Sequence, residues 1–283
     1  MNKTEIIYEG NFSFFKDANI IIAYLGTDNN VTIPKTIASS EVRVIGIEAF
    51  ENYHHLESVI LSDSVQVLEP FAFGRCKNLK SVNIPNGVTL IEDCVFEYCQ
   101  KLTEIKIPDS VTKICEGVFE GCESLTSISI HDGVISIGAD AFTGCERLAS
   151  VTIGDSVKAI GANAFCGCYD LDEIKLPSSL NVICDRTFGD CTSLKNINIP
   201  NGVIGIGEHA FSGCTSLSSL TIPDSVTAIG ISLYTVGTEL LRFDRDAPKR
   251  TVFDGCTNLQ SILYKGKIYD REHIGELYKA ING

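Results

Sequence analysis

Residues 125–147 read LTSISIHDGVISIGADAFTGCER, and a close copy, LASVTIGDSVKAIGANAFCGCYD, follows at residues 148–170. Leucine recurs with a constant period of 23 residues, at positions 56, 79, 102, 125, 148, 171, 194 and 217. A repeat of this length indicates a solenoid, because one unit buries its apolar face only when a neighbouring unit covers it.

Each unit predicts two short inward-facing segments joined by a turn. Ile128 and Ile130 alternate with serines, which is the period-2 pattern of a half-buried strand. Pro-Asp-Ser or Pro-Asn-Gly then supplies turn-compatible residues, Val134 and Ile137 form a second inward segment, and Ala-Phe-x-x-Cys predicts a short helical turn. Stacked units place like residues over like at a spacing of about 4.8 Å. One position of every unit therefore predicts an aromatic spine: Phe73, Phe96, Phe119, Phe142, Phe165, Phe188 and Phe211.

The repeated pattern L-x-S-V-x-I-P-x-S-V-x-x-I-G-x-x-A-F-x-G-C resembles the BspA-like leucine-rich repeats of bacteria and protists. The resemblance covers residues 31–263, which is more than eighty per cent of the chain. It implies a β-rich α/β repeat solenoid, curved and right-handed, with a parallel sheet on the concave side and short helical turns. Members of this family are typically surface-exposed and associated with adhesion. The family motif contains no catalytic residues, so the resemblance implies none here.

The repeats predict a single leucine-rich-repeat domain over residues 1–283. Residues 1–30 are expected to form an N-terminal cap, residues 31–258 the repeats, and residues 259–283 a C-terminal strand, hairpin and helix cap. The period breaks in the irregular segment 231–250, which is either a 19-residue insertion or a shortened repeat with Tyr234 in the phenylalanine position. The second interpretation buries Arg245 without a partner, which is costly. We therefore expect residues 231–241 to fill part of the core and residues 242–250 to form an exposed loop.

The cysteines follow the repeat rather than a disulfide pattern. Eight of the twelve occupy one position, three residues after each phenylalanine, and are called here the thiol ladder: Cys76, Cys99, Cys122, Cys145, Cys168, Cys191, Cys214 and Cys256. Stacked side chains point the same way, which leaves them too far apart for ordinary bridges and too divergent for zinc. The ladder is therefore expected to be buried and reduced, and free thiols favour a reducing compartment. That expectation conflicts with the surface location that the resemblance implies.

Composition excludes several partner classes. A net charge of −13 disfavours nucleic acid and anionic membranes, and no apolar run is long enough to span a bilayer. The first residues lack the features of a signal peptide, so either a cytoplasmic location or a removed signal remains open. A row of turn carboxylates, Asp109, Asp132 and Asp155, suggests a calcium edge, but bonding of each side chain to its own turn is favoured. No cofactor or metal is expected, and the protein is expected to be a monomer.

The function predicted from the sequence is that of a non-enzymatic binding scaffold, adhesin-like, which recognises a protein or glycan. Solenoids commonly bind through the concave face, which is small, polar and without aromatic anchors here, so a merely solvated surface stays an alternative. Loop residues on a rigid scaffold are a second candidate site. The candidate binding residues are Ser81, Asn83, Glu104, Lys106, Ser127, Ser129, Ser150, Thr152, Glu173 and Lys175 on the concave face, and Arg242, Arg245, Lys249 and Arg250 in the irregular segment. The alternative function is a hydrolase or transferase with its site in residues 231–250, which a pocket with a perturbed carboxylate or histidine there would favour.

Overall fold

The computed structural model describes residues 5–236, 239–241 and 251–283. The chain winds into a β-solenoid of about nine turns, with short parallel strands and little helix. The predicted leucine-rich-repeat fold is therefore confirmed. No helix of the described residues is long and apolar enough to cross a membrane.

The strands follow one another in chain order along the solenoid. The N-terminal part contains β1 (Ile6–Glu9), β2 (Phe12–Phe15), a 3₁₀ helix (Lys16–Ala18), β3 (Ile20–Tyr24), β4 (Asn30–Thr32), β5 (Thr36–Ile37), β6 (Ser40–Glu41) and β7 (Val44–Ile45). The regular repeats contain β8 (Ser58–Ile60), β9 (Val67–Leu68), β10 (Ser81–Asn83), β11 (Leu90–Ile91), β12 (Lys113–Ile114), β13 (Ser127–Ile130), β14 (Ser136–Ile137), β15 (Ser150–Ile153), β16 (Ala159–Ile160), β17 (Glu173–Lys175), β18 (Val182–Ile183), β19 (Asn196–Asn198), β20 (Gly205–Gly207), β21 (Ser219–Ile222) and β22 (Ala228–Ile231). The C-terminal part contains β23 (Tyr234–Val236), β24 (Glu239–Leu241), β25 (Ser261–Tyr264), β26 (Lys267–Tyr269) and the helix α1 (Ile274–Asn282).

Each regular unit except residues 102–124 contributes one strand to each of two parallel ladders. In the first ladder, β13 pairs with β15 so that Ser127 lies opposite Ser150. In the second ladder, β14 pairs with β16 so that Ile137 lies opposite Ile160. Both pairings step by one 23-residue period, as the repeat predicts. The first ladder is interrupted at residues 102–108, which form no strand.

The aromatic spine is confirmed. Successive rings from Phe73 to Phe211 stack with centroids 5.3–5.8 Å apart and interplanar angles of 1–15°. Phe50 and Phe253 continue the stack at its two ends, and Tyr24 covers Phe50 with a centroid distance of 5.1 Å. The side chains from Phe50 to Phe211 are fully buried, so the spine is the centre of the core.

The Ala-Phe-x-x-Cys segment forms a third row of contacts between rungs. The short helical turn expected there takes the form of consecutive tight turns, such as the one closed by Cys145 N–H donating to the Phe142 carbonyl at 3.1 Å. Between these local bonds, Phe142 N–H donates a hydrogen bond to the Ala164 carbonyl of the next rung at 2.9 Å. The chain reverses through left-handed residues, and Gly144 has a φ of 69°, a conformation that favours the glycine found before five of the eight ladder cysteines.

The thiol ladder is buried and free of disulfides, as predicted. Its members are at most 2% exposed, and each thiol donates to the phenylalanine carbonyl of the preceding rung at 3.0–3.3 Å. Burial raises the pKa of these thiols; that of Cys76 rises to about 12. The ladder is thus a set of neutral donors that join neighbouring rungs.

The break in the period is an insertion within one rung. Phe253 stacks directly on Phe211 with a centroid distance of 6.2 Å, although 42 residues separate them, 19 more than one period. Likewise, β25 pairs in parallel with β21. Within the insertion, β23 and β24 pair in antiparallel fashion, and Leu233 before them is fully buried beside Ala228 and Ile231. The loop expected at residues 242–250 lies outside the described residues.

Both ends of the stack carry irregular structure. At the N-terminal end, β1, β2 and β3 form an antiparallel meander, and β3 pairs in parallel with β7. At the C-terminal end, β26 folds back on β25, and α1 buries Leu277, Tyr278 and Ile281. The Tyr278 hydroxyl accepts a hydrogen bond from Val252 N–H at 3.0 Å, where the chain re-enters the stack after the insertion.

We expect Phe142→Ala to lower the free energy of unfolding by about 3–5 kcal/mol, because the substitution opens a cavity between two stacked rings. The exposed aromatic Tyr169 provides the matched control, and Tyr169→Ala should change the free energy by less than about 1 kcal/mol. Urea denaturation of both variants measures the difference. Equal losses would show that the spine does not dominate the core.

The thiol ladder predicts that stability falls at alkaline pH. The raised thiol pKa values mean that folded thiols stay protonated while unfolded thiols ionise above their ordinary value of 9.0. The free energy of unfolding should therefore be constant below about pH 8 and decline between about pH 9 and 12. Replacing Cys122 and Cys145 by alanine should make this decline shallower, and an unchanged slope would contradict the interpretation.

Candidate ligand-binding face

The first ladder creates one continuous polar surface. In β13 the isoleucines Ile128 and Ile130 are buried, whereas Ser127 and Ser129 are exposed. The same alternation holds in β15, β17 and β19. Because successive side chains of a strand point to opposite faces, the outward positions of all units line up on the concave face.

Nine of the ten concave-face candidates line two adjoining shallow depressions, each of about 570 Å³. The polar residues of the first are Ser81, Glu104, Lys106, Ser127, Ser129, Ser150 and Thr152. Those of the second include Ser150, Thr152, Glu173, Lys175, Asn196 and Asn198. Because Ser150 and Thr152 belong to both, the two depressions form one surface.

Asn83, the tenth candidate, has a structural role. Its side-chain oxygen accepts a hydrogen bond from Leu61 N–H at 2.7 Å, and its amide nitrogen lies 3.5 Å from the Leu61 carbonyl. These bonds bridge the turns of two rungs. Asn83 therefore occupies an outward position without lining either depression.

Asn196 and Asn198 complete the second depression but were not among the candidates. Their signal in the sequence is their outward position in β19, which the alternation with Ile197 gives directly. A third depression, of about 480 Å³, lies where β21 and β25 end, and includes Asp224, Leu263 and Lys265. The termination of the repeat creates it, and the 23-residue pattern contains no signal for it.

The concave face carries balanced charge. Within the described part of the chain, Glu104, Lys106 and Glu173 have no ion pair with another side chain. Lys175 lies 3.9 Å from the Asp155 carboxylate, and its side chain is 83% exposed, so solvent screens this contact strongly. The charged groups of the face are thus available to a partner.

The turn carboxylates make contacts between rungs. Asp132 Oδ1 accepts a hydrogen bond from Asp155 N–H at 3.0 Å, so the side chain bonds the next turn rather than its own. Among the residues that the structure describes, no three histidine, cysteine, aspartate or glutamate side chains are grouped to hold a metal ion. The calcium hypothesis for this row gains no support.

The base of the insertion is anchored by Asp185, a residue that the repeat pattern did not single out. Its carboxylate accepts hydrogen bonds from Leu233 N–H at 2.7 Å, Ser232 Oγ at 2.8 Å and Glu208 N–H at 2.9 Å. Burial raises the pKa of Asp185, while these bonds lower it by a smaller amount. Asp185 lies outside residues 231–250, where the enzyme alternative requires a carboxylate with a shifted pKa, and its oxygens accept hydrogen bonds from the chain itself.

The four basic candidates of the irregular segment, Arg242, Arg245, Lys249 and Arg250, lie outside the described residues. The structure thus neither joins them to the concave face nor separates them from it. They stay a sequence-based prediction.

Comparison with known proteins places this architecture in a family. A leucine-rich-repeat protein from Bacteroides ovatus is 28% identical, with a TM-score of 0.70 over 92% of this chain and 68% of that one. The T. pallidum leucine-rich-repeat protein is also 28% identical, with a TM-score of 0.52 over 73% of this chain and 86% of that one. The pneumococcal vaccine antigen PcpA, 18% identical with a TM-score of 0.52 over 92% of this chain and 82% of that one, shares the fold.

No curated protein matches the chain significantly. The model of the BspA-type leucine-rich-repeat region does match it, with six copies over residues 27–145 and 112–241. These matches cover most of the chain and coincide with the units that build the two ladders. The chain therefore belongs to the BspA-type leucine-rich-repeat family.

Proposed function

We propose that this protein is a non-enzymatic binding scaffold whose concave face docks a macromolecular partner, a protein or a glycan. The observation that carries the proposal is the pair of adjoining depressions lined by charged and hydroxyl-bearing side chains. Much of this face presents hydrogen-bonding groups at fixed positions, because β13 is bonded to β15 and β17 is bonded to β19. Preorganised groups lose little conformational freedom on binding.

The proposal includes an adhesin-like role at a cell surface. The BspA-type resemblance supports this role, and one protein of the same fold is a vaccine antigen. The free cysteines do not oppose it, because buried thiols with raised pKa values are poor nucleophiles and are protected from oxidants. The thiol ladder is therefore compatible with an oxidising environment as well as a reducing one.

The proposal predicts that blocking the concave face abolishes binding. The double variant Ser127→Arg/Ser150→Arg places two large side chains in the depressions, whereas Thr112→Arg/Thr227→Arg adds the same groups at exposed positions directly before β12 and β22. Both variants and the unmodified protein are applied to arrays of purified matrix proteins and of glycans. At least one array component should bind the unmodified protein and the control variant, and lose more than about tenfold in affinity with the blocked variant.

Equal binding by the blocked and control variants would place the interaction elsewhere on the molecule and overturn the proposal. Binding of no array component by the unmodified protein would equally count against it. Circular dichroism melting of each variant establishes that the arginines leave the fold intact, as expected for exposed positions.

A further inference from the structure

The charged groups of the concave face repeat with a fixed spacing. Glu104 and Lys106 occupy the two outward positions of one rung, and Glu173 and Lys175 occupy the same positions three rungs later. Each charged rung lies in its own depression and is flanked by rungs with hydroxyl or amide side chains. The face therefore consists of two similar subsites in tandem.

The four charges form a rectangle. Neighbouring rungs are about 4.8 Å apart, so the two charged rungs are separated by about 14 Å along the solenoid axis. Within a rung, the two outward residues are about 7 Å apart along the strand direction. One long edge of the rectangle is thus acidic, with Glu104 and Glu173, and the other is basic, with Lys106 and Lys175.

We propose that the concave face binds an extended polypeptide segment that runs along the solenoid axis and carries adjacent basic and acidic residues repeated every four positions. The inference rests on the proposed binding function and specifies its ligand. An extended chain advances about 3.4 Å per residue, so four residues span about 14 Å, the separation of the charged rungs. Neighbouring side chains of the segment point to opposite sides, so its basic residues reach the glutamates while its acidic residues reach the lysines.

The surface between the charged rungs suits a polypeptide backbone. Ser127, Ser129, Ser150 and Thr152 have small side chains whose hydroxyls both donate and accept hydrogen bonds, which matches the amides and carbonyls of an extended chain. None of the residues that line the two depressions is aromatic. A sugar ring would therefore find no stacking platform here, which favours a peptide over a glycan.

The two subsites have different surroundings. The Asp155 carboxylate lies 3.9 Å from the Lys175 ammonium, whereas the corresponding turn position beside Lys106 is Asn86. Because the Lys175 side chain is 83% exposed, solvent screens this contact strongly, and both lysines are available to acidic groups of the ligand.

The test uses labelled synthetic peptides and fluorescence anisotropy at low ionic strength. The probe contains Lys-Glu-Ser-Ser-Lys-Glu, and comparison peptides shorten or lengthen the serine spacer by one residue, which changes both the span and the side to which the second pair points. The probe should bind at least about tenfold more tightly than either comparison peptide, because only its spacing engages both subsites at once.

Charge variants locate the interaction. Glu104→Gln/Lys106→Gln and Glu173→Gln/Lys175→Gln should each weaken probe binding about tenfold. The matched control Glu146→Gln/Lys158→Gln removes the same charges at exposed positions outside the depressions and should change affinity less than about twofold.

Similar affinity for all three peptides, or equal effects of the control and charge variants, would overturn the proposal. This outcome is distinct from failure of the binding function. If an array component no longer binds the Ser127→Arg/Ser150→Arg variant but binds the charge variants normally, the concave face binds a ligand of another class. In that case only the peptide inference fails. If the blocked variant also binds normally, both fail.

Discussion

Parallel, in-register stacking of one rung on the next is the constraint on which this structure depends. Neighbouring rungs bond through the backbones of the two ladders, where these are formed, and of the Ala-Phe-x-x-Cys turns. Since the step between the regular rungs is 23 residues, equivalent side chains of these rungs lie over one another. Rings stack on rings, thiols reach carbonyls one rung away, and outward polar residues form columns. Packing in the core, hydrogen bonding between rungs and the arrangement of the polar surface therefore all follow from in-register stacking.

The sequence allowed most of the fold to be predicted because its signals are periodic. Alternation in residues 127–130 gives the strand and its outward face, and Phe142 and Cys145 give the core columns. The same alternation predicts which residues face outward, and nine of the ten candidates on this face line the depressions, whereas Asn83 does not. Its amide faces the turn of the preceding rung, and that contact depends on three-dimensional distance rather than on period.

Features outside the period could not be predicted in the same way. Asp185 lies in a regular unit, and only the folded insertion shows that its carboxylate holds Ser232 and Leu233. The depression beside Lys265 exists because the repeat stops there. The turn carboxylate of Asp132 bonds the next rung, since stacking brings the Asp155 amide within reach. In each case the feature depends on a contact between segments that are distant in the sequence, which the local residue pattern does not contain.

The concave face combines rigidity with a low content of apolar anchors. Its outward residues are fixed by strands whose inward partners, such as Ile128 and Val151, lie in the core. Hydroxyl and amide groups at fixed positions favour specificity over raw affinity, because a mismatched partner leaves them desolvated and unpaired. Discrimination between partners would then depend on the spacing of polar groups rather than on the amount of buried surface.

The thiol ladder has a consequence for how the chain reaches this state. The eight ladder cysteines are protected only after rungs have stacked, since each ladder thiol is buried and bonded to the rung before it. In an oxidising environment, an unfolded chain would expose all of them to random disulfide exchange, which takes seconds to hours. Correct folding then requires that the rungs stack before the thiols are oxidised. Local contacts between neighbouring rungs favour fast folding, so the repeat architecture helps to bury the ladder cysteines before oxidation.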